Sequence, residues 1–144
     1  MSINLIPAAE ISSTGLTAER KRMDIIANNL ANINTAGSKN SVYKRKVAVF
    51  ETLVDNKINS KNPEDSFKGV ELSEISSDNS RNPVQKYQPW HPEADENGMV
   101  FTPDISPIEE MVDMITATRA YEANLSVIKE SRKIVDEALK IIQK

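Results

Sequence analysis

The chain has 144 residues, which is about the length of one domain, and its formal net charge is −3. No segment is strongly basic, so composition argues against an electrostatic interface for nucleic acid or an anionic membrane. There is no cysteine, which excludes disulfides, thiolate nucleophiles and thiolate metal sites. Aromatic residues make up only 5% of the chain, so we expect a thin core that partners help to complete.

The first predicted element is a helix over about residues 2–34. Gly15 lowers its stability by about 1 kcal/mol relative to alanine. Asn29 and its neighbouring asparagines either hydrogen-bond to the backbone of adjacent elements or fray the helix before Gly37. Apolar residues recur every three or four positions along one side of this helix, at Leu5, Ala9, Leu16, Met23, Ile26, Leu30 and Ile33.

The middle of the chain predicts short strands and loops. Residues 42–50 alternate between apolar and polar side chains as one β-strand does. Residues 56–69 are typical of a loop. Residues 70–72 and 84–87 are candidate strands on either side of a turn, and together they would form a small antiparallel unit.

The last predicted element is a long helix from Ile108 to Lys144. The sequence Ser106-Pro107-Ile108-Glu109 is a capping box with proline at the first helical position. No proline or glycine follows, so the helix would exceed about 50 Å at 1.5 Å per residue. Its apolar side runs through Met111, Met114, Tyr121, Leu125, Ile128, Val135, Leu139 and Ile142.

These elements predict an α+β fold, mainly α, in which the terminal helices pack as a coiled-coil-like pair around a small antiparallel β/loop region. We divide the chain into an N-terminal helix (1–35), the β/loop region (36–103) and a C-terminal helix (104–144). The predicted assembly interface consists of Leu16, Met23, Ile26, Asn29, Leu30, Ile33, Met111, Met114, Tyr121, Asn124, Leu125, Ile128, Val135 and Leu139.

Residues 93–104 have some features of a calcium loop. Asp95, Asn97 and Gly98 fall at its third, fifth and sixth positions, and Asp104 falls at its twelfth. The surrounding prolines forbid a regular entering helix, however, and an aspartate is short for the last ligand. The alternative is a solvated turn with Asn97-Gly98 at its tip, joining two short strands.

No catalytic, cofactor or metal site is predicted. His91 is the only histidine and has no evident nucleophile for a partner, so Trp90-His91 is interpreted as a packing or docking element. The basic run Arg20-Lys21-Arg22 is interpreted as a solvated helix face, with docking onto an acidic partner as the alternative. No glycine-rich phosphate loop occurs.

Several stretches resemble the bacterial flagellar rod and hook axial protein family, and within it the short proximal rod proteins. Residues 26–35, which read Ile-Ala-Asn-Asn-Leu-Ala-Asn-Ile-Asn-Thr, are similar to the family's Asn-Leu-Ala-Asn signature. Residues 91–100 resemble its His-Pro-x-Ala-Asp-x-Asn-Gly-aromatic-Val stretch, with Met99 in place of the aromatic residue. Residues 110–115 and 119–124 resemble its shared C-terminal motif.

The resemblance implies a structural subunit of the basal-body rod, the hollow shaft that transmits torque from motor to hook. Its partners would be other copies of itself and other rod proteins, in the periplasm, with no nucleic acid, membrane insertion or cofactor. Export would use the flagellar type III apparatus without a cleaved signal peptide. Two other functions stay open, a calcium-dependent binding module on residues 93–104 and a cytoplasmic coiled-coil adaptor.

Overall fold

A computed structural model describes residues 7–54 and 67–142. Within them the order of elements is α1 (Pro7–Ala31), β1 (Lys46–Val54), β2 (Phe67–Ser77), β3 (Val84–Tyr87), β4 (Met99–Thr102) and α2 (Pro107–Ile142). This confirms the predicted fold class, α+β and mainly α, with a small antiparallel region between two long terminal helices.

The two helices pack against each other in antiparallel fashion. The Asn29 amide of α1 reaches the Glu110 carboxylate of α2, whereas Gly15, fourteen residues earlier, lies against Asn124. Residue numbers on α2 therefore rise as those on α1 fall. With 36 residues, α2 is about 54 Å long and is the longest described element.

The ends of the helices differ slightly from the prediction. The first helix ends at Ala31, and residues 32–34 form a turn; Leu5 lies outside the described residues. At the start of α2 the Glu109 backbone N–H donates to Ser106 Oγ at 3.4 Å, which is half of the predicted capping box. The Glu109 carboxylate instead accepts a hydrogen bond from Arg81 at 2.8 Å. Residues 143–144 lie outside the described residues.

The described strands form two separate antiparallel pairs. The hairpin of β1 and β2 carries register shifts at Val49/Phe50 and Leu53/Val54. Near the second shift, Gly69 has a φ of +121° and lies so close to the Thr14 side chain that a Cβ atom would clash with it. The second pair is β3 with β4, which a bridge between Gly37 and Phe101 extends on the far side of β4.

Two details of the predicted strands were wrong. The first strand begins at Lys46, not at residue 42, because Val42 is buried and its N–H donates to Ser38. Residues 70–72 pair with β1, not with residues 84–87. After residue 77 the chain turns out of the hairpin, and Arg81 in this turn forms ion pairs with both Asp78 and Glu109 of α2.

The buried apolar residues fall into two groups along the chain. The first lies on the helices and contains Ala18, Ile25, Ile26 and Ala117. The second surrounds β4 and contains Val42, Val100, Phe101 and Ile105. Both groups are small, as the low aromatic content suggested.

Candidate assembly interface

Asn29 joins three elements of the fold. Its Oδ1 accepts hydrogen bonds from the Tyr43 hydroxyl and the Lys46 N–H, both at 2.9 Å. Its Nδ2 donates to the Lys46 carbonyl at 2.8 Å and to Glu110 Oε2 at 3.0 Å. A primary amide has two donors and two acceptor lone pairs, so this side chain is fully satisfied, and only 1% of Asn29 is exposed.

Glu110 is the largest fully buried side chain among the described residues. Besides Asn29 it meets Arg45, whose Nε donates to Glu110 Oε1 at 2.6 Å. The same guanidinium donates to Asp113 at 3.1 Å, and Arg22 of α1 lies 3.5 Å from the other Asp113 oxygen. Because a buried carboxylate is costly unless it is paired and hydrogen-bonded, this arrangement can hold only when all three elements are in place.

We name Asn29, Tyr43, Arg45, Glu110 and Asp113 the clamp. Burial and, secondly, the nearby Glu110 carboxylate raise the pKa of the Tyr43 phenol above its ordinary value of 10.0. The phenol therefore stays protonated and keeps donating to Asn29. The clamp fixes the start of the hairpin against both helices.

A second polar cluster lies at the start of α2. Hydrogen bonds from the Ser80 hydroxyl and N–H, with the nearby Arg81 and Arg45, lower the pKa of Asp78. The hydrogen bond to Glu109 in turn raises the pKa of Arg81. Asp78 and Arg81 are half-buried and Glu109 is exposed, so solvent weakens these ion pairs and their contribution to stability is small.

Gly15 allows the two helices to approach closely. A Cβ atom at this position would lie 3.0–3.1 Å from the Asn124 side-chain amide. That amide is held in place by a hydrogen bond from Nδ2 to the Ala120 carbonyl at 3.0 Å. The sequence correctly indicates a helix-weakening residue, but the packing that favours glycine here becomes visible only in the tertiary structure.

Most residues of the predicted interface are buried or half-buried in the folded chain. Ile26 and Asn29 are buried, and Leu16, Met23, Met114, Tyr121, Asn124, Leu125, Ile128 and Val135 are half-buried. Leu30, Met111 and Leu139 are exposed, and Ile33 lies beyond the end of α1. The assembly role of the whole set stays a prediction.

The outer surface of α2 carries large apolar residues that nothing in the described part of the chain covers. They are Ile108, Met111, Val112, Ile115, Val127, Ile134, Leu139 and Ile141, with exposed fractions from 41% to 77%. A concentration of this kind on one element is typical of a protein–protein interface. Neither described helix is long and apolar enough to cross a membrane.

The candidate calcium loop is a hydrogen-bonded turn. One Asp95 carboxylate oxygen accepts hydrogen bonds from the backbone N–H groups of Asn97 and Met99, at 2.9 and 2.8 Å. Gly98 has a φ of +74°, and the turn leads directly into β4, as the alternative interpretation predicted. Among the described residues no cluster of three or more His, Asp and Glu side chains is placed to hold a metal ion.

Trp90 and His91 differ in their surroundings. The Trp90 side chain is 79% exposed, so it is not a packing element within the described chain. His91 Nδ1 accepts a hydrogen bond from the Glu93 N–H at 3.1 Å and stabilises the same turn region.

The hydrogen bonds of Asn29 to the Lys46 backbone confirm the interpretation that it bonds to the backbone of an adjacent element, but sequence reasoning missed its side-chain partners Tyr43 and Glu110. Glu110 and Asp113 entered the prediction only within the family-like stretch 110–115, and Arg45 only as part of a strand. The available signal was an acidic residue at a helix position that faces the partner helix, because a buried carboxylate needs a positively charged partner.

Comparisons with known proteins agree with this geometry. The family profile described as "Flagella basal body rod protein" matches residues 10–39, and "Flagellar basal body rod FlgEFG protein C-terminal" matches residues 96–141. The flagellar basal-body rod protein FlgC of Borreliella burgdorferi is 38% identical over 98% of this chain and 99% of its own length. The chain belongs to the FlgC family. FlgC of Aquifex aeolicus is 38% identical over 93% of this chain and 94% of its own, and FlgC of Bacillus subtilis is 32% identical over 91% and 93%.

The two profiles cover most of α1 and α2 together with the clamp residues Asn29, Glu110 and Asp113. The β1–β2 hairpin lies between them, and neither profile extends into it. The two family profiles therefore match this chain mainly over its helix pair.

Proposed function

We propose that this chain is a structural subunit of the flagellar basal-body rod that assembles through its two terminal helices into the hollow shaft between motor and hook. Membership of the FlgC family is the observation that carries the proposal. The exposed apolar residues of α2 support it, because a subunit that leaves so much apolar side-chain surface open needs neighbours to cover it.

The partners we propose are other copies of this chain and other rod proteins. The protein would reach the periplasm through the flagellar type III apparatus, without a cleaved signal peptide, and would act there as a structural component and not as an enzyme. Residues 1–35 and 104–144 would form the assembly core, and residues 36–103 would form a small region on it. The clamp, which joins all three parts, suits an element that transmits torque without slipping.

Deletion and complementation test this function. Cells that lack the chain should be non-motile, and a tagged copy should restore motility and co-purify with basal bodies, where immunogold labelling should place it in the rod. Motile deletion cells with complete rods in electron micrographs would contradict the proposal. Recovery of the tagged protein only in the cytoplasm would favour the adaptor function instead.

A further inference from the structure

Five of the exposed apolar residues of α2 lie in two stripes. The start stripe comprises Ile108, Val112 and Ile115 and ends one turn later at Arg119; its three apolar side chains are 73%, 58% and 55% exposed. The end stripe comprises Val127, Ile134 and Glu137; its two apolar side chains are 41% and 66% exposed. Successive residues of the start stripe are four, three and four positions apart, and those of the end stripe are seven and three positions apart. These separations bring residues to one side of a helix.

The two stripes cannot cover each other within one molecule. They lie on one continuous helix, and Val127 follows Ile108 by nineteen residues, about 28 Å along the axis. At about 100° per residue this separation also rotates the end stripe by about 100° around the helix relative to the start stripe. The stripes are therefore two different surfaces, and neither is the surface that packs on α1.

When two α2 helices lie parallel, residues of the start stripe on one helix can lie beside residues of the end stripe on the other. A stagger of nineteen residues places Ile108 beside Val127 and Ile115 beside Ile134. Arg119 then falls within one residue of Glu137, and both side chains are exposed. Within the described part of the chain neither has an ion pair, so each charge is free to meet the opposite charge on another copy.

We infer that the start stripe of one copy packs against the end stripe of the next copy, with the two α2 helices parallel and staggered by about 28 Å. Two different surfaces that bind each other make a heterologous contact, and such a contact continues from copy to copy without closing into a dimer. The parallel orientation follows because copies arranged along one axis all point the same way. The inference rests on the proposed rod function and names the surface and the partner that the function needs.

Cysteine cross-linking tests the contact, since the chain has no cysteine of its own. The variant Ile115→Cys/Ile134→Cys, oxidised in isolated basal bodies, should give a ladder of dimers, trimers and larger species on non-reducing gels. Neighbouring cysteines cross-link only when their Cα atoms come within about 7 Å. The matched control is Ile115→Cys/Arg132→Cys, because Arg132 lies at nearly the same height on another side of α2, and it should give no ladder.

The single variants define the type of contact. Copies with only Ile115→Cys, co-expressed with copies that carry only Ile134→Cys, should give dimers and nothing larger. Self-cross-linking of Ile115→Cys alone would overturn the inference, because it indicates a symmetric contact. The inference would also be overturned if basal bodies that contain the double cysteine variant gave no ladder, or if the control gave an equal ladder. Either result would leave the rod function intact. Absence of the wild-type chain from basal bodies would instead refute the rod function.

Charge reversal gives a second measurement that leaves the apolar residues unchanged. Arg119→Glu and Glu137→Arg should each lower incorporation into basal bodies roughly tenfold or more, since like charges would then face each other. Combining the two substitutions in one chain restores opposite charges and should restore incorporation. Normal incorporation of either single charge variant would contradict the contact. So would a double charge variant that incorporates no better than the single variants. Both outcomes can be read even if the cysteine variants fail to assemble.

Discussion

At the scale of single residues, Asn29 is almost completely buried and fully hydrogen-bonded. It lies at the meeting point of α1, the residues before and at the start of β1, and α2, and it uses every hydrogen-bonding position of its amide. An apolar residue there would leave the Lys46 backbone groups without these partners. An acidic residue would place a second carboxylate beside Glu110.

We therefore expect Asn29→Asp to destabilise the fold by about 2–4 kcal/mol at neutral pH, because two donated hydrogen bonds become contacts between acceptors. Urea unfolding followed by circular dichroism measures this loss. The control is Asn34→Asp, at an exposed position beyond the end of α1, which should change stability by less than about 0.5 kcal/mol. Equal effects of the two substitutions would show that the clamp does not stabilise the molecule.

Tyr43 should make the fold sensitive to alkaline pH. Its pKa is raised above 10.0 in the folded protein, so the folded state retains the phenolic proton at a pH where the unfolded chain has lost it. This contribution is complete below pH 10.0 and is lost as pH rises from there through the folded-state pKa.

The free energy of unfolding should thus decline less above pH 10.0 in Tyr43→Phe than in the wild-type protein, although the variant starts lower by about 1 kcal/mol for the lost hydrogen bond. Urea unfolding at several alkaline pH values measures both quantities. Tyr87→Phe serves as the control, because it removes the hydroxyl of a tyrosine that is 67% exposed and lies outside the clamp. Parallel pH profiles for wild type and Tyr43→Phe would refute this role.

At the scale of elements, the contact between α1 and α2 depends on the absence of a side chain at residue 15. Gly15→Ala should destabilise the wild-type protein, since the new Cβ would lie 3.0–3.1 Å from the Asn124 amide. In an Asn124→Ala background the same substitution should instead stabilise the helix by about 1 kcal/mol, the ordinary advantage of alanine over glycine. Thermal unfolding of the wild type, the two single variants and the double variant measures both changes in stability. If Gly15→Ala changed stability in the same direction in both backgrounds, a steric conflict between residue 15 and Asn124 would be excluded.

Leu125 tests the surface that α2 presents to other helices. We expect Leu125→Asp to abolish rod assembly, because a carboxylate at this half-buried position costs several kcal/mol. Lys133→Asp is the control; its side chain is 66% exposed and should tolerate the change at well under 1 kcal/mol. Motility and electron microscopy of basal bodies, with protein level checked by blotting, distinguish the two. Motile Leu125→Asp cells would remove Leu125 from the interface.

At the scale of the whole molecule, packing is uneven along α2. Its first half carries the buried Glu110 and Ala117 and contacts α1 through Glu110, Thr118 and Asn124. Its last turns expose Ile134, Leu139 and Ile141. A molecule built in this way is firmly held at the clamp and depends on neighbours at the far end of α2.

Hydrogen exchange should show this gradient. In the isolated protein, amides of residues 110–125 should exchange slowly and those of residues 134–142 quickly, since few buried contacts hold the last turns. In assembled rods the second group should become protected. Uniform protection of α2 in the monomer would contradict the view that assembly completes this helix.

Much of the architecture follows from the sequence alone. The three- and four-residue recurrence of apolar side chains specified two terminal helices, since only a helix brings such positions to one side. The Ser106-Pro107 start of α2 and the Asn97-Gly98 turn depend on backbone preferences of neighbouring residues, which any reader of the sequence can recognise. Family-like motifs at both ends indicated the function.

The tertiary structure decided which distant groups meet. Glu110 and Asn29 are 81 positions apart, and Arg45 lies between them in a segment whose strand begins one residue later. The pairing of β2 with β1, and not with β3, likewise joins residues that local sequence patterns do not specify. Short-range patterns determine helices and turns because those depend on neighbouring residues, whereas a buried ion pair depends on the position of every element around it.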